Sequence, residues 1–345
     1  MDKTPSIFND VLGPVMRGPS SSHCAAANRI ARIARDLAAE PVVKLAAFYD
    51  PNGSLVTTHK EQGTDLGLYS GILGWQPDDA RLPTYPSALR AEGIEVEVHY
   101  VSYDAPHPNF YRLEITGESG TVYRLDAIST GGGMIELQAV DGVPLGGQGD
   151  LCSTLFWLDA APDERALLGT DLLAKAESWE WLPGAKGGLL RVDTRHKPEG
   201  AKVSSLAQQL GAKRSRVLGA VLPILARKNL SVPFTRAGEM EAHPEFAGRP
   251  LWESAACYEA ARGGITPEEA IEQMKGLVRI FEGAVKEGLA GTHYADRILP
   301  SQSPGFAKAE KEGRLIPGDI NNRIVRYVSA IMEVKSSMGV IVAAP

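Results

Sequence analysis

The sequence is poor in the features that announce most chemistries. It has three cysteines, Cys24, Cys152 and Cys257, and they stand far apart in 345 residues. They form neither a C-x-x-C pair nor a disulfide framework, so a reducing compartment fits and a cytoplasmic protein is expected. No apolar run approaches the roughly 18 residues that a membrane-spanning helix needs. Asp2, Lys3 and Asp10 interrupt the first residues, which therefore lack a signal-peptide core. Lysine and arginine are scattered and the net charge is −6, which gives no nucleic-acid surface. There is no P-loop, dinucleotide fingerprint, zinc-protease motif or nucleophile elbow. The five tryptophans follow no cofactor pattern and read as core.

Apolar residues make up 43% of the chain and charged residues 23%, enough for a sizeable core. The pattern predicts an α+β protein. A mixed α/β domain covers 1–148, a linker or insert 149–230, and a mainly helical region 231–345. Helical spacing follows Ser20-Ser21-Ser22 until Pro41. Strands are expected at Leu45 to Tyr49, Glu95 to Tyr103 and Met134 to Val140, with a hairpin of Phe110 to Thr116 and Thr121 to Ala127. Thr64 and Asp65 are read as caps of a short helix. Helical patterns around Ser204 to Leu210 and Val217 to Arg227 leave two readings of the insert, a plain structural one and an ACT-like module. Thr266-Pro267-Glu268-Glu269 is a capping box after Gly263-Gly264. The final helix is expected over Asn321 to Met338. The apolar residues Val340 to Pro345 read as a buried strand whose continuation is missing or lies in another chain.

Four places carry chemistry-bearing residues. Gly18-Pro19-Ser20-Ser21-Ser22-His23 sets three hydroxyls and an imidazole before a helix, where unpaired N–H groups attract carboxylates. The same pattern serves as a plain cap. Gln62-Gly63-Thr64-Asp65 is a second polar helix start, and a common cap. His107-Pro108-Asn109 places a histidine between strands; such residues move protons near neutral pH, though most loop histidines are merely solvated. Ser129-Thr130-Gly131-Gly132-Gly133 permits positive φ and close backbone approach to a ligand, or simply a flexible turn.

Their order resembles one family. Ser6-Ile7-Phe8 followed by Gly18 to His23 is similar to the opening of iron–sulfur-dependent L-serine dehydratases, with their Gly-Pro-Ser-Ser-Ser-His-Thr motif. Gly53-Ser54-Leu55, Gly63-Thr64-Asp65, His107-Pro108-Asn109 and Ser129 to Ile135 resemble further family segments in the same order. Pro233-Phe234, Glu239-Met240 and Met338 to Pro345 extend the likeness, and 149–229 is the least covered stretch.

The resemblance implies a lyase in which a [4Fe–4S] cluster activates the leaving hydroxyl of serine while a base takes the α-proton. Ser20, Ser21, Ser22 and His23 then hold the substrate carboxylate, and Gln62, Thr64 and Asp65 add polar contacts. Gly131, Gly132 and Gly133 shape the pocket, His107 transfers the proton, and His23 is the second catalytic residue that the resemblance implies. Two departures matter. The family's cluster cysteines follow its Ala-Pro, whereas Cys24, Cys152 and Cys257 match none of them, and Cys24 replaces the Thr after the histidine. Gln62 stands where the family has a histidine, so His107 is the family-pattern histidine left for proton transfer. The expectation is a subunit that works with a second chain carrying the cluster cysteines. The alternatives are a non-catalytic amino-acid-binding or regulatory subunit, or a truncated inactive homologue.

Overall fold

The computed structural model describes residues 4–343 except 168, 228–229, 293–296, 298, 317 and 319. Its first layer is a six-stranded sheet in the order Glu95–Tyr100, Val42–Tyr49, Phe110–Gly117, Val122–Gly131, Met134–Val140, Val143–Pro144. The first pair is parallel and the rest antiparallel. The expected hairpin is present, joining Phe110–Gly117 to Val122–Gly131. Alternation along these strands turns Leu113, Ile115, Tyr123, Leu125 and Ala127 into the core.

The helix Ala26–Ala38 covers that core and buries Ile30, Ile33, Ala34 and Leu37. A second helix, Thr64–Ile72, packs against it along a seam of small residues. A Cβ on Gly67 would fall 1.9 Å from the Cys24 carbonyl oxygen, and one on Gly71 would fall 2.4 Å from that of Asn28. Only glycine permits this separation.

Residues 152–218 form a second, antiparallel sheet ordered Arg214–Leu218, Cys152–Leu158, Gly188–Thr194, Ser178–Pro183. Short helices lie between the first and second strands, and the helix Gly200–Gln209 precedes the last. This is the βαββαβ order of ferredoxin-like units. One face sends Leu155, Leu189 and Leu218 into the main core. The other, with Phe156, Leu190 and Val192, packs on its own helices through Val203 and Leu206. The helical pattern expected over Val217 to Arg227 is not realised. The chain is strand to Leu218, because these residues complete the sheet edge beside Cys152–Leu158, and the following described residues are irregular around Pro223.

The remaining chain is helical: Leu251–Gly263, Pro267–Ala290, Ser303–Lys311 and Ile320–Ser336. Gly264, left-handed at φ 61°, ends the first of these, and the Thr266–Glu269 capping box starts the next. The expected apolar strand at the end is present as Ile341–Val342, and its partner lies in this chain, antiparallel to Val15–Met16. Ala344 and Pro345 lie outside the described residues. The α+β expectation is borne out. Among the described residues no helix is long and apolar enough to cross a membrane.

Candidate active site

One end of the six-stranded sheet gathers most of the residues singled out above. The Ser20–His23 stretch forms a wide π-helical turn, Ser21–Ala25, that runs directly into helix Ala26–Ala38. Insertions of this kind recur at functional sites. The Ser20 side chain does not cap the helix. Ser20 Oγ, Ser22 Oγ and His23 Nδ1 instead form a triangle with all three separations at 3.1 Å. Ser21 lies within the same turn, half-buried.

His23 is 8% exposed, and burial holds its pKa below the ordinary imidazole value. It is therefore a neutral ring near pH 7, with Nδ1 toward the hydroxyls. Nε2 is buried without a hydrogen-bond partner. The next residue, Cys24, is fully buried, its Sγ–H donates to the Arg17 carbonyl at 3.3 Å, and burial pushes its thiol up to about 12.

Helix Thr64–Ile72 begins against this turn. Gly63, left-handed at φ 81°, is its N-cap, and a Cβ there would meet Pro19 at 3.1 Å and Cys24 at 3.3 Å. Thr64 and Asp65 thus lie inside the helix rather than capping it. Thr64 is fully buried, and its hydroxyl neighbours that of Tyr111. Asp65 Oδ1 accepts from His59 Nδ1 at 2.7 Å, and His59 Nε2 lies 2.7 Å from the Tyr100 hydroxyl. Burial raises the Asp65 carboxyl above its ordinary pKa, while the hydrogen bond from His59 works the other way. Gln62 is exposed in the turn before the helix.

The glycine run closes the strand Val122–Gly131, with φ of 101°, 58° and 81° at Gly131, Gly132 and Gly133. Gly133 lies against Pro14 and within reach of Ala25, and its carbonyl accepts from Arg29 Nη1 at 2.6 Å. That bond ties the glycine turn to the helix behind the serines. Ser129 is fully buried, and its N–H donates to the Asn109 carbonyl at 3.1 Å.

His107 stands half-buried on the adjoining loop, its Nδ1 accepting from the Asn109 N–H at 3.1 Å. Its lone pair at Nδ1 is thereby occupied, which leaves Nε2 as the group that faces other partners. The Ser54 hydroxyl donates to Asn109, and the Ser54 N–H donates to the Pro108 carbonyl at 2.9 Å. The Gly53-Ser54-Leu55 and His107-Pro108-Asn109 segments therefore form one unit.

Five buried polar atoms at this end of the sheet have no hydrogen-bond partner: His23 Nε2, Tyr49 Oη, Thr64 Oγ1, Tyr111 Oη and Ser129 Oγ. Buried polar groups are normally paired, so such a concentration marks a polar centre suited to a hydrogen-bonding ligand. In the sequence His59 is near Gln62 but on a different register, and Tyr100 is only a residue of a strand face. His59 has a local signal, three residues before Gln62 and six before Asp65. Tyr100 has none, because its link to His59 spans 41 residues.

A [4Fe–4S] cluster takes about three or four thiolates. The cysteines of this chain do not fit one. Cys24 is held as a buried neutral thiol, Cys152 begins a strand of the second sheet, and Cys257 lies on helix Leu251–Gly263. Among the described residues no group of three or more His, Cys, Asp or Glu is placed to hold a metal ion.

Fold and cluster together define an α+β protein with a Ser/His-lined polar centre at a sheet end. Curated relatives give that class a more particular meaning. The chain is 40% identical over 141 residues to the probable L-serine dehydratase, beta chain, of Bacillus subtilis (strain 168), a match covering 41% of this chain and 62% of that protein. It is 29% identical over 160 residues to the L-serine dehydratase, beta chain, of Peptoniphilus asaccharolyticus, covering 46% of this chain and 70% of that one. The chain thus spans less than two thirds of the length of the Bacillus protein. No family model matches it. The likeness to L-serine dehydratases read from the motifs is borne out, for a part of the chain corresponding to their beta chains.

Proposed function

We propose that this chain is a subunit of an amino-acid lyase of the L-serine dehydratase type, which eliminates a β-substituent and releases a 2-oxo acid and ammonia. The observation that carries the reading is the meeting of Ser20–His23, Thr64–Asp65 and Gly131–Gly133 around the unpartnered buried polar atoms. In this reading the Ser20 to Ser22 hydroxyls and the positive end of helix Ala26–Ala38 bind the substrate carboxylate. The neutral His23 ring orients those hydroxyls through Nδ1. The glycine turn lets backbone approach the substrate closely, and His107, whose Nδ1 accepts from Asn109, presents Nε2–H as a proton donor.

A second chain carries the [4Fe–4S] cluster, since the cysteines here do not suit it. Both curated relatives are named beta chains, in keeping with a companion chain. The helix Ile320–Ser336 adds physical support. Ile320, Ile324, Val328 and Met332 lie along one exposed stripe, the kind of surface that another subunit covers.

The test is anaerobic co-purification with a cysteine-bearing companion chain, followed by a screen of β-substituted amino acids for 2-oxo acid release. Ser22→Ala should weaken substrate binding by about 1 kcal/mol or more. Unchanged affinity would make the turn a structural feature only. A second reading, an amino-acid-binding subunit without chemistry, draws on exposed Gln62 at the family's histidine position. Binding without turnover in any reconstituted complex would establish it.

A further inference from the structure

The strongest unassigned arrangement is the line Asp65–His59–Tyr100. His59 is 3% exposed, and both ring nitrogens are engaged, with Asp65 Oδ1 and Tyr100 Oη each at 2.7 Å. Tyr100, at the end of the edge strand Glu95–Tyr100, is 51% exposed, so the line runs from a half-buried carboxylate to an accessible phenol. A carboxylate that fixes one imidazole nitrogen, while the other meets a hydroxyl, is the geometry that activates hydroxyls in acid–base catalysis. The line also adjoins the candidate site. Asp65 follows Thr64 and Gly63, which pack on Tyr111 and on the Pro19–Cys24 turn.

Resting on the lyase reading, we propose that Tyr100 is a second catalytic proton-transfer residue, with His59 and Asp65 as its positioning residues. As the substrate Cα–H bond breaks, its electron pair stays on carbon and the proton passes to Tyr100 Oη. The phenolic proton moves at the same time to His59 Nε2, and the resulting imidazolium is stabilised by Asp65 through Nδ1–H. When the β-substituent leaves with its electron pair, the proton returns from His59 through Tyr100 to the departing group. No oxidant or co-reactant is needed. The relay also explains how the chain manages with Gln62: an imidazole is retained three residues earlier, held where it reaches a hydroxyl. The other groups around Asp65 are Lys60, Glu61 and the phenols of Tyr49, Tyr69 and Tyr85, with Tyr111 beyond.

A purely structural clasp is the competing account, since the Asp65 N–H also donates to the His59 carbonyl at 3.0 Å. The experiment therefore uses the complex with the companion chain and separates kcat from KM. Tyr100→Phe should lower kcat by about 10²-fold with KM nearly unchanged, and leave the melting temperature in place. His59→Gln should lower kcat comparably, and the double variant should be no worse than either single one, because the residues act as a unit. Asp65→Glu should restore part of the turnover lost in Asp65→Asn. An active complex in which Tyr100→Phe turns over at full rate overturns the relay and leaves the lyase reading standing, as does additivity of the two losses. A complex with no activity toward any β-substituted amino acid overturns the lyase reading and the relay with it.

Discussion

The sheet-bearing part and the helical part of this molecule treat apolar surface in opposite ways. In the first, helix Ala26–Ala38 buries ten of its thirteen residues, and the sheet beneath it is filled by Leu45, Leu113, Ile115 and Leu125. In the second, the 24-residue helix Pro267–Ala290 buries only Ala270, Ala284 and Gly288 among its described side chains. Eleven of the seventeen large apolar side chains exposed among the described residues lie between Leu251 and Met332. A protein that folds alone seldom leaves so much apolar surface concentrated in one region. One part is a finished core that holds the candidate site. The other leaves much of its apolar surface uncovered and is held in shape by polar clamps. Glu259 accepts from Ser6 Oγ and the Ile7 N–H at 2.5 and 2.7 Å, and Glu333 accepts from Arg297 at 2.8 Å and the Gln302 N–H at 3.1 Å.

The largest effect that would break this comparison concerns the finished core. Leu113→Ala should lower the unfolding free energy by about 2–5 kcal/mol in urea titration, the usual range for a buried leucine. Val328→Ala, on the exposed stripe, should cost under about 0.5 kcal/mol. Equal losses would mean that the helical part is as closed as the sheet.

Next comes Glu333. Burial is the largest single influence on its carboxyl and acts upward, but the hydrogen bonds from Ser301, Gln302, Arg297 and Ser303 together bring it from its ordinary 4.5 to about 2. Its folded pKa is thus below its unfolded one. The stability it supplies, about 3 kcal/mol on the linkage relation, is complete above pH 4.5 and lost as pH falls toward 2. Glu333→Gln should remove that acid-range dependence, read by circular dichroism, and should raise amide exchange in helix Ile320–Ser336.

Smaller and more even effects should follow at two close approaches, one in each part. A Cβ at Gly67 would sit 1.9 Å from Cys24 O, and one at Gly288 would sit 2.0 Å from Ala330 O. Each alanine variant should lose about 1–3 kcal/mol by thermal melting. Gly67→Ala should also disturb ligand binding, because it lifts a helix off the serine turn, whereas Gly288→Ala should not. The smallest effect is Ile324→Ser. It should change the stability of the isolated chain by under about 0.5 kcal/mol yet weaken association with a companion chain, measured by calorimetry.

Much of the first part was legible because its signals are local. Alternation placed the Glu95–Tyr100 strand, a Gly-containing turn placed the hairpin, and helical spacing placed Ala26–Ala38. The capping box at Thr266 worked for the same reason. What failed was decided by tertiary partners. Leu218 belongs to a strand because Ser153 lies opposite it. The Ser20 hydroxyl turns to His23 rather than capping, because the chain there widens into a π-helical turn. The four motifs were each found in the sequence, but the linkage of His59 to Tyr100 needs the parallel pairing of Val42–Tyr49 with Glu95–Tyr100, which no local pattern encodes. The extent of unburied apolar surface in the helical part was equally invisible, since a periodic stripe reads the same whether or not anything covers it.

The short ladder between Val15–Met16 and Ile341–Val342 has a consequence in time. On the ribosome, residues 15 and 16 emerge early, and their strand partners are added more than 300 residues later. Every contact of the six-stranded sheet lies between them, so that sheet can assemble during synthesis while the ladder waits. The Ser20–His23 turn, a few residues beyond Met16, is thus set on its helix early but fastened from its other side only once residues 341 and 342 arrive. A nascent chain arrested before residue 341 should have the sheet's amide protection and a loose serine turn, and addition of Ile341 and Val342 should lock it.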